Sequence, residues 1–178
     1  MSDNANIHPA IQPVQLQRLY QVSKVIHSTL DQQEALDLIV REAVGLVGAT
    51  TGSVVLINPS DGFLEIQTAH GLPDGSSRLK LRLGEGITGW VAQQGKPALV
   101  PDVREDARYV PVHDHARSEL AVPLEVNGSV RGVINVDSDQ LNAFSETDQA
   151  LLTELASQAA TVIHNAFLYE RSRIRADL

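Results

Sequence analysis

The chain has 178 residues, a formal net charge of −8 and 43% apolar residues. That apolar share is enough for a buried core, and the acidic balance disfavours phosphate backbones and anionic lipid surfaces as partners. It holds no cysteine, which excludes disulfides, thiolate metal sites, thiol nucleophiles and a thioether-linked bilin.

Residues 1–13 are polar and read as a flexible leader, without the apolar stretch of a signal peptide. No apolar run approaches the length of a membrane span. The cytoplasm is therefore the expected location, with neither nucleic acid nor membrane as partner. From Val14 the pattern is helical: Leu16, Leu19, Val22, Ile26 and Leu30 recur at steps of three and four. Leu30-Asp31 breaks this helix. Asp31 with Glu34 forms a capping-box pattern for a second helix, which Gly48 stops.

Strand patterns follow. Ser53 to Ile57 is rich in β-branched residues, 58–62 is a turn by composition, and Phe63 to Ala69 alternates as a return strand. Arg78 to Leu83 alternates again. Gly84 to Gly95 encloses a short helix, and Pro97 to Val100 is a short strand. Pro101 to Ala116 shows no period, and a loop this long is expected to be functional or disordered. Arg117 to Val126 and Ser129 to Ser138 flank Asn127-Gly128, a strong hairpin signal. A last helix starts near Ser145 or Glu146 and runs towards the end. Its Leu152, Leu155, Ala159, Val162, Ala166 and Tyr169 form a heptad seam.

The order of these parts resembles the GAF domain family, carried by "GEGITGWVAQQGKP", "RSELAVPLEVNGSVRGVINVDS" and "FSETDQALLTELASQAATVIHNAFLYE". The resemblance covers roughly residues 14 to 170, with 171–178 left as the end of a signalling helix or a linker. It implies an α+β fold related to PAS domains: a central antiparallel sheet of about six strands, with the terminal helices on one face and a pocket on the other. It also implies a sensory or regulatory role without catalysis of its own. An unknown small molecule would be bound and signalled through the terminal helices of a homodimer. A kinase, phosphatase or cyclase is the expected output partner if the chain is a fragment. The alternative is a dimerisation and partner-docking module with no ligand.

Candidate site residues are Trp90, Asp102, Arg104, Tyr109, Arg117, Ser118, Glu119, Asn135 and Asp137. Glu119 and Asp137 lie on the two hairpin strands. They either face the pocket, or Glu119 pairs with an arginine and Asp137 caps the turn before Gln140. Free methionine-R-sulfoxide reductases, also GAF proteins, use acidic residues in similar positions, but they need cysteines, so that reaction is set aside. "DVREDARY", residues 102–109, is expected over the pocket, with Tyr109 able to stack on a ring and Arg104 or Arg108 able to meet an anion.

Asn135, Phe144 and Asp148 match part of a phosphodiesterase GAF pattern. Val136 and Gln149 replace its charged members, which speaks against cyclic nucleotide. His113 and His115 fall short of the three or four ligands of a metal site. Haem ligation by any of the six histidines is not expected. A parallel dimer bundle of the first and last helices would bury Leu16, Leu19, Leu152, Leu155 and Val162.

Overall fold

In the computed structural model, residues 11–28, 31–73, 75, 80–111 and 115–176 are described. Two helices lead, α1 (Pro13–Ser28) and α2 (Gln32–Val47). The middle of the chain holds β1 (Thr51–Ile57), β2 (Leu64–His70), β3 (Lys80–Leu81), α3 (Gly86–Gln94), β4 (Ala98–Val100), β5 (Ser118–Val126) and β6 (Ser129–Ser138). The long α4 (Glu146–Ala176) closes it. The six strands make one sheet in the order β3-β2-β1-β6-β5-β4, every pair antiparallel.

The local punctuation follows side-chain chemistry. Asp31 caps α2 by accepting from the Gln33 and Glu34 amides at 2.8 and 3.2 Å, and Gly48 ends it in the left-handed region. Asn127 and Gly128 have φ of 52° and 79°, the two positive angles that a two-residue hairpin turn demands. Ser145 and Asp148 exchange hydrogen bonds at the start of α4, the Ser145 amide donating to Asp148 Oδ2 at 2.8 Å.

The sheet separates two cores. On one face Val54, Leu120, Val122, Ile134 and Val136 pack under α1, α2 and α4. On the other, Val55, Leu64, Ala121 and Val133 pack with Ile87, Val91 and Ala92 of α3. Alternation along β5 and β6 thus sends successive residues to opposite cores.

Several elements differ from the sequence expectations. The strand expected over 78–83 is only two residues long, and Arg78 and Leu79 lie outside the described residues. After Leu81 the chain turns to receive α3: the Arg82 amide donates to Glu85 Oε2 at 2.9 Å, and the Gly84 amide to the Gly89 carbonyl at 2.8 Å. A Cβ on Gly89 would stand 2.6 Å from the Arg82 carbonyl. That glycine therefore serves close contact with this turn. In β2, a register shift opposite Val54/Val55 changes which face its side chains take. Ile66 joins the α3 core, whereas Thr68 reaches back to hydrogen-bond Asp37 on α2.

Residues 101–111 are held by repeated chemistry. Asp102 Oδ1 accepts from the Arg104 amide at 3.0 Å, and Asp106 Oδ1 from the Arg108 amide at 2.9 Å. Each Asp-x-Arg unit makes its own Asx turn, and the first opens a short 3-10 turn over Val103–Glu105.

Candidate functional site

A cavity of about 60 Å³ lies on the α3 side of the sheet, behind a mouth open to solvent. Its floor comes from β1, β5 and β6, which supply Ser53, Glu119, Asn135 and Asp137. The first turn of α3 contributes Ile87 and Thr88. The loop contributes Tyr109 and Val110, and Val55, Leu64, Ile66 and Leu81 make apolar walls.

The floor is polar in a deliberate pattern. Ser53 sits opposite Asn135 and donates to its side-chain oxygen. Glu119 sits opposite Asp137 across the β5–β6 hairpin. Directly opposed residues of an antiparallel pair have their Cβ atoms about 4.5–5.5 Å apart on one face. The two carboxyl groups are 6% and 8% exposed. Glu119 Oε1 accepts from Thr88 Oγ1, and Asp137 Oδ2 from Thr51 Oγ1, both at a long 3.4 Å. Burial, and then the facing Asp137, push the Glu119 carboxyl well above its ordinary 4.5, which the Thr88 bond only partly opposes.

Arg108 organises the loop at the cavity's edge. Its Nε and Nη2 bind Asp106 at 2.9 and 2.6 Å. Its guanidinium lies over the Trp90 ring, 4.4 Å from the centroid. The paired arginine holds Asp106 below its ordinary 3.8.

Of the nine candidate residues, the structure brings Tyr109, Glu119, Asn135 and Asp137 together in the cavity wall. The other five lie elsewhere. Trp90 is half-buried on α3, packed on the second core beneath Arg108. Asp102 is committed to its Asx turn and Arg104 is exposed. Ser118 faces the helix side, donating to the Gln140 carbonyl at 2.7 Å and accepting from the Ala143 amide. Arg117 starts the hairpin without lining the cavity, and its buried Nε has no hydrogen bond. Glu119 makes no ion pair with an arginine among the described residues, and the amide of Gln140 is taken by Ser138 Oγ.

Ser53 and Thr88 are site residues that the sequence reading missed. Ser53 carried a signal, being the polar member of an apolar strand. Thr88 carried none, because its role depends on where the first turn of α3 lands. His113 lies outside the described residues.

The expected seam also divides. Leu152 and Leu155 are fully buried against this chain's own sheet, while Leu19 and Val162 are half-buried at the edge of that core. Leu16 remains exposed. The first half of the heptad stripe therefore belongs to the domain interior and is not available to a second copy. The sheet consumes it because α4 lies directly over β5.

The sequence profile described as GAF domain matches residues 29–164. This chain belongs to the GAF domain family. Its fold agrees with the crystal structure of the GAF domain from an Acinetobacter phosphoenolpyruvate-protein phosphotransferase: the TM-score is 0.81 at 25% identity, over 89% of this chain and 97% of that one. A free methionine-R-sulfoxide reductase from Neisseria meningitidis shares the fold at a TM-score of 0.77 and 23% identity, over 87% of this chain and 93% of that one.

Among curated proteins, a Nif-specific regulatory protein of Azospirillum lipoferum is 30% identical over 132 residues, 70% of this GAF chain. GAF domain-containing protein A of Dictyostelium discoideum is 38% identical over 76 residues, 43% of the chain. The chain spans 21% of the length of the Azospirillum protein and 48% of the Dictyostelium one. No helix among the described residues is long and apolar enough to cross a membrane.

Proposed function

We propose that this GAF domain is a cytoplasmic sensor that binds a small molecule over the β5–β6 hairpin and reports it through α1 and α4. The observation that supports this most directly is the alternation on the hairpin. Glu119, Asn135 and Asp137 face the cavity, while the residues between them, Leu120, Ile134 and Val136, lie in the core under the helices. A ligand that draws on the floor residues therefore acts on the same strands that seat α4. It would favour whichever helix arrangement suits the bound floor. The regulatory role named for the Azospirillum relative agrees with this reading.

The test is a thermal-shift screen of the full chain against metabolites, nucleotides and tetrapyrroles at millimolar concentration. A ligand at a hundred times its Kd stabilises the fold by about 2.7 kcal/mol. Binders are expected to raise Tm, and to lose that effect in Tyr109→Ala. No shift with any compound would overturn the sensor reading.

Exposed apolar residues favour a second reading, a dimerisation and docking module. Val14, Leu16, Tyr20 and Val25 on α1, and Leu168 and Ile174 on the distal half of α4, stand in solvent. A homodimer joined through these surfaces fits both readings. Sedimentation at high concentration is expected to show the dimer with or without ligand if docking is the sole role. Ligand-dependent sedimentation would favour the sensor.

A further inference from the structure

The tip of the β5–β6 hairpin brings an unengaged side-chain amide next to an unengaged backbone nitrogen. Asn127 and Gly128 are both exposed. The last pair of the ladder is Val126 with Ser129, which leaves the two turn residues outside it. The Asn127 side chain has no hydrogen-bond partner among the described residues, and the Gly128 amide donates to none of them. A Cβ on Gly128 would meet no atom within 4 Å, so the space around that nitrogen is open. When the Gly128 nitrogen meets the Asn127 side-chain carbon, the two close a five-membered ring. Groups tethered this closely react as if at very high concentration.

The structure sets this asparagine apart from the other described ones. Asn135 and Asn165 lie inside β6 and α4, where the next amide belongs to the ladder or the helix. Asn58 precedes a proline, which has no N–H. Asn142 also has a positive φ, 49°, but the Ala143 amide after it donates to Ser118 Oγ at 3.3 Å. Asp61-Gly62, the acidic counterpart, has both groups engaged. The Gly62 amide donates to the Asn58 carbonyl at 2.8 Å, and Asp61 Oδ1 accepts from the Phe63 amide at 3.0 Å.

We infer that Asn127 is a site of spontaneous covalent modification, deamidation through a succinimide, and that the reaction takes place at the tip of the folded hairpin. The Gly128 nitrogen bonds to Asn127 Cγ. The side-chain nitrogen leaves as ammonia, taking the Gly128 amide proton with it. Water then opens the ring at either carbonyl and gives aspartate or isoaspartate. Nothing is oxidised or reduced, and solvent water is the sole co-reactant. A left-handed residue holds the next nitrogen away from its own side-chain carbon, so attack waits on a brief opening of the turn. An exposed tip opens without the sheet beneath it. Aspartate leaves the turn in place and adds one negative charge near the exposed Glu125. Isoaspartate routes the main chain through the side-chain carbon. It adds a backbone atom to a turn that fits two residues, so the Val126–Ser129 pair comes apart.

The experiment keeps the full chain in warm, mildly alkaline buffer, folded and in parallel in denaturing urea. Ion exchange follows the acidic product, and mass spectrometry of the tryptic peptide 118–131 locates it. The folded chain is expected to accumulate a species with OH in place of NH2 at Asn127, isoaspartate being its main form. Conversion at Asn127 should be on the order of tenfold faster than at Asn142, where a hydrogen bond holds the attacking amide. The isoaspartate form should exchange its amides faster over 124–131 than the unmodified chain. Asn127→Gly keeps a pair suited to this turn and should yield no such species.

Conversion in urea with the folded chain unchanged overturns the inference, as do equal rates at Asn127 and Asn142 in the folded chain. The same acidic species from Asn127→Gly also overturns it. Unaltered exchange over 124–131 in the isoaspartate form overturns the opening of the hairpin end.

Discussion

Replacing Glu119 by Gln isolates what the buried carboxyl does to stability. In the unfolded chain the group has its ordinary value, near 4.5. In the folded chain, burial and the facing Asp137 raise it well above that. Between the two values the folded chain binds more protons than the unfolded one, so stability falls as pH rises through this window. One proton gives a slope of at most about 1.4 kcal/mol per pH unit. A chain of this size changes Tm by about 2–4 °C per kcal/mol, so the wild type should lose up to about 3–6 °C per pH unit relative to the variant.

Gln keeps an oxygen for Thr88 Oγ1 and carries no charge, so Glu119→Gln lacks this slope. Asp106, shifted downward by Arg108, titrates below the window and acts with the opposite sign. The assay is thermal unfolding by circular dichroism of both proteins at pH 5, 6 and 7. The difference curve reads what removing this carboxyl does, its effect on the facing Asp137 included. Parallel curves would refute the reasoning, since Glu119 would then ionise in the folded chain as it does in the unfolded one.

Leu155→Ala should destabilise the chain by about 2–5 kcal/mol, whereas Leu16→Ala should change it by less than about 0.5 kcal/mol. Urea unfolding of the two variants at low concentration checks that Leu155 belongs to the domain's own interior. Gly132→Ala should be severely destabilised, because a Cβ there would stand 2.2 Å from the Val55 carbonyl. Loss of soluble, cooperatively unfolding protein is the readout. Arg108→Met should shift the emission of Trp90, the sole tryptophan, and speed amide exchange over 102–110. The global change should stay near 1 kcal/mol, the scale of one partly exposed cation–π contact with its ion pair.

Much of this domain was legible before any coordinates. Asp31, Gly48, Asn127-Gly128 and Ser145 mark element ends because a cap or tight turn is a local event, decided by a side chain and its own backbone neighbours. In β6 the alternation of Ile134 and Val136 with Asn135 and Asp137 is likewise local, since a strand's period belongs to the strand. The absence of cysteine removed thiol chemistry without any structure at all.

What the sequence left open needed contacts between distant segments. The shift of register in β2 sends Thr68 to α2 and Ile66 to the α3 core, and nothing local distinguishes such a bulge from regular alternation. Arg104 and Arg108 sit in the same Asp-x-Arg pattern, yet only Arg108 meets a tryptophan eighteen residues back in the chain, so only it braces the loop. The heptad in α4 is one continuous pattern in sequence. The sheet ends beneath it, so Leu152 and Leu155 are buried while Leu168 and Ile174 are not.

The same holds for the floor of the cavity. Sequence supplied two carboxyl groups on neighbouring strands. The tertiary structure opposed them across one hairpin, under α3 and away from water, and that burial raises the Glu119 carboxyl well above its ordinary value.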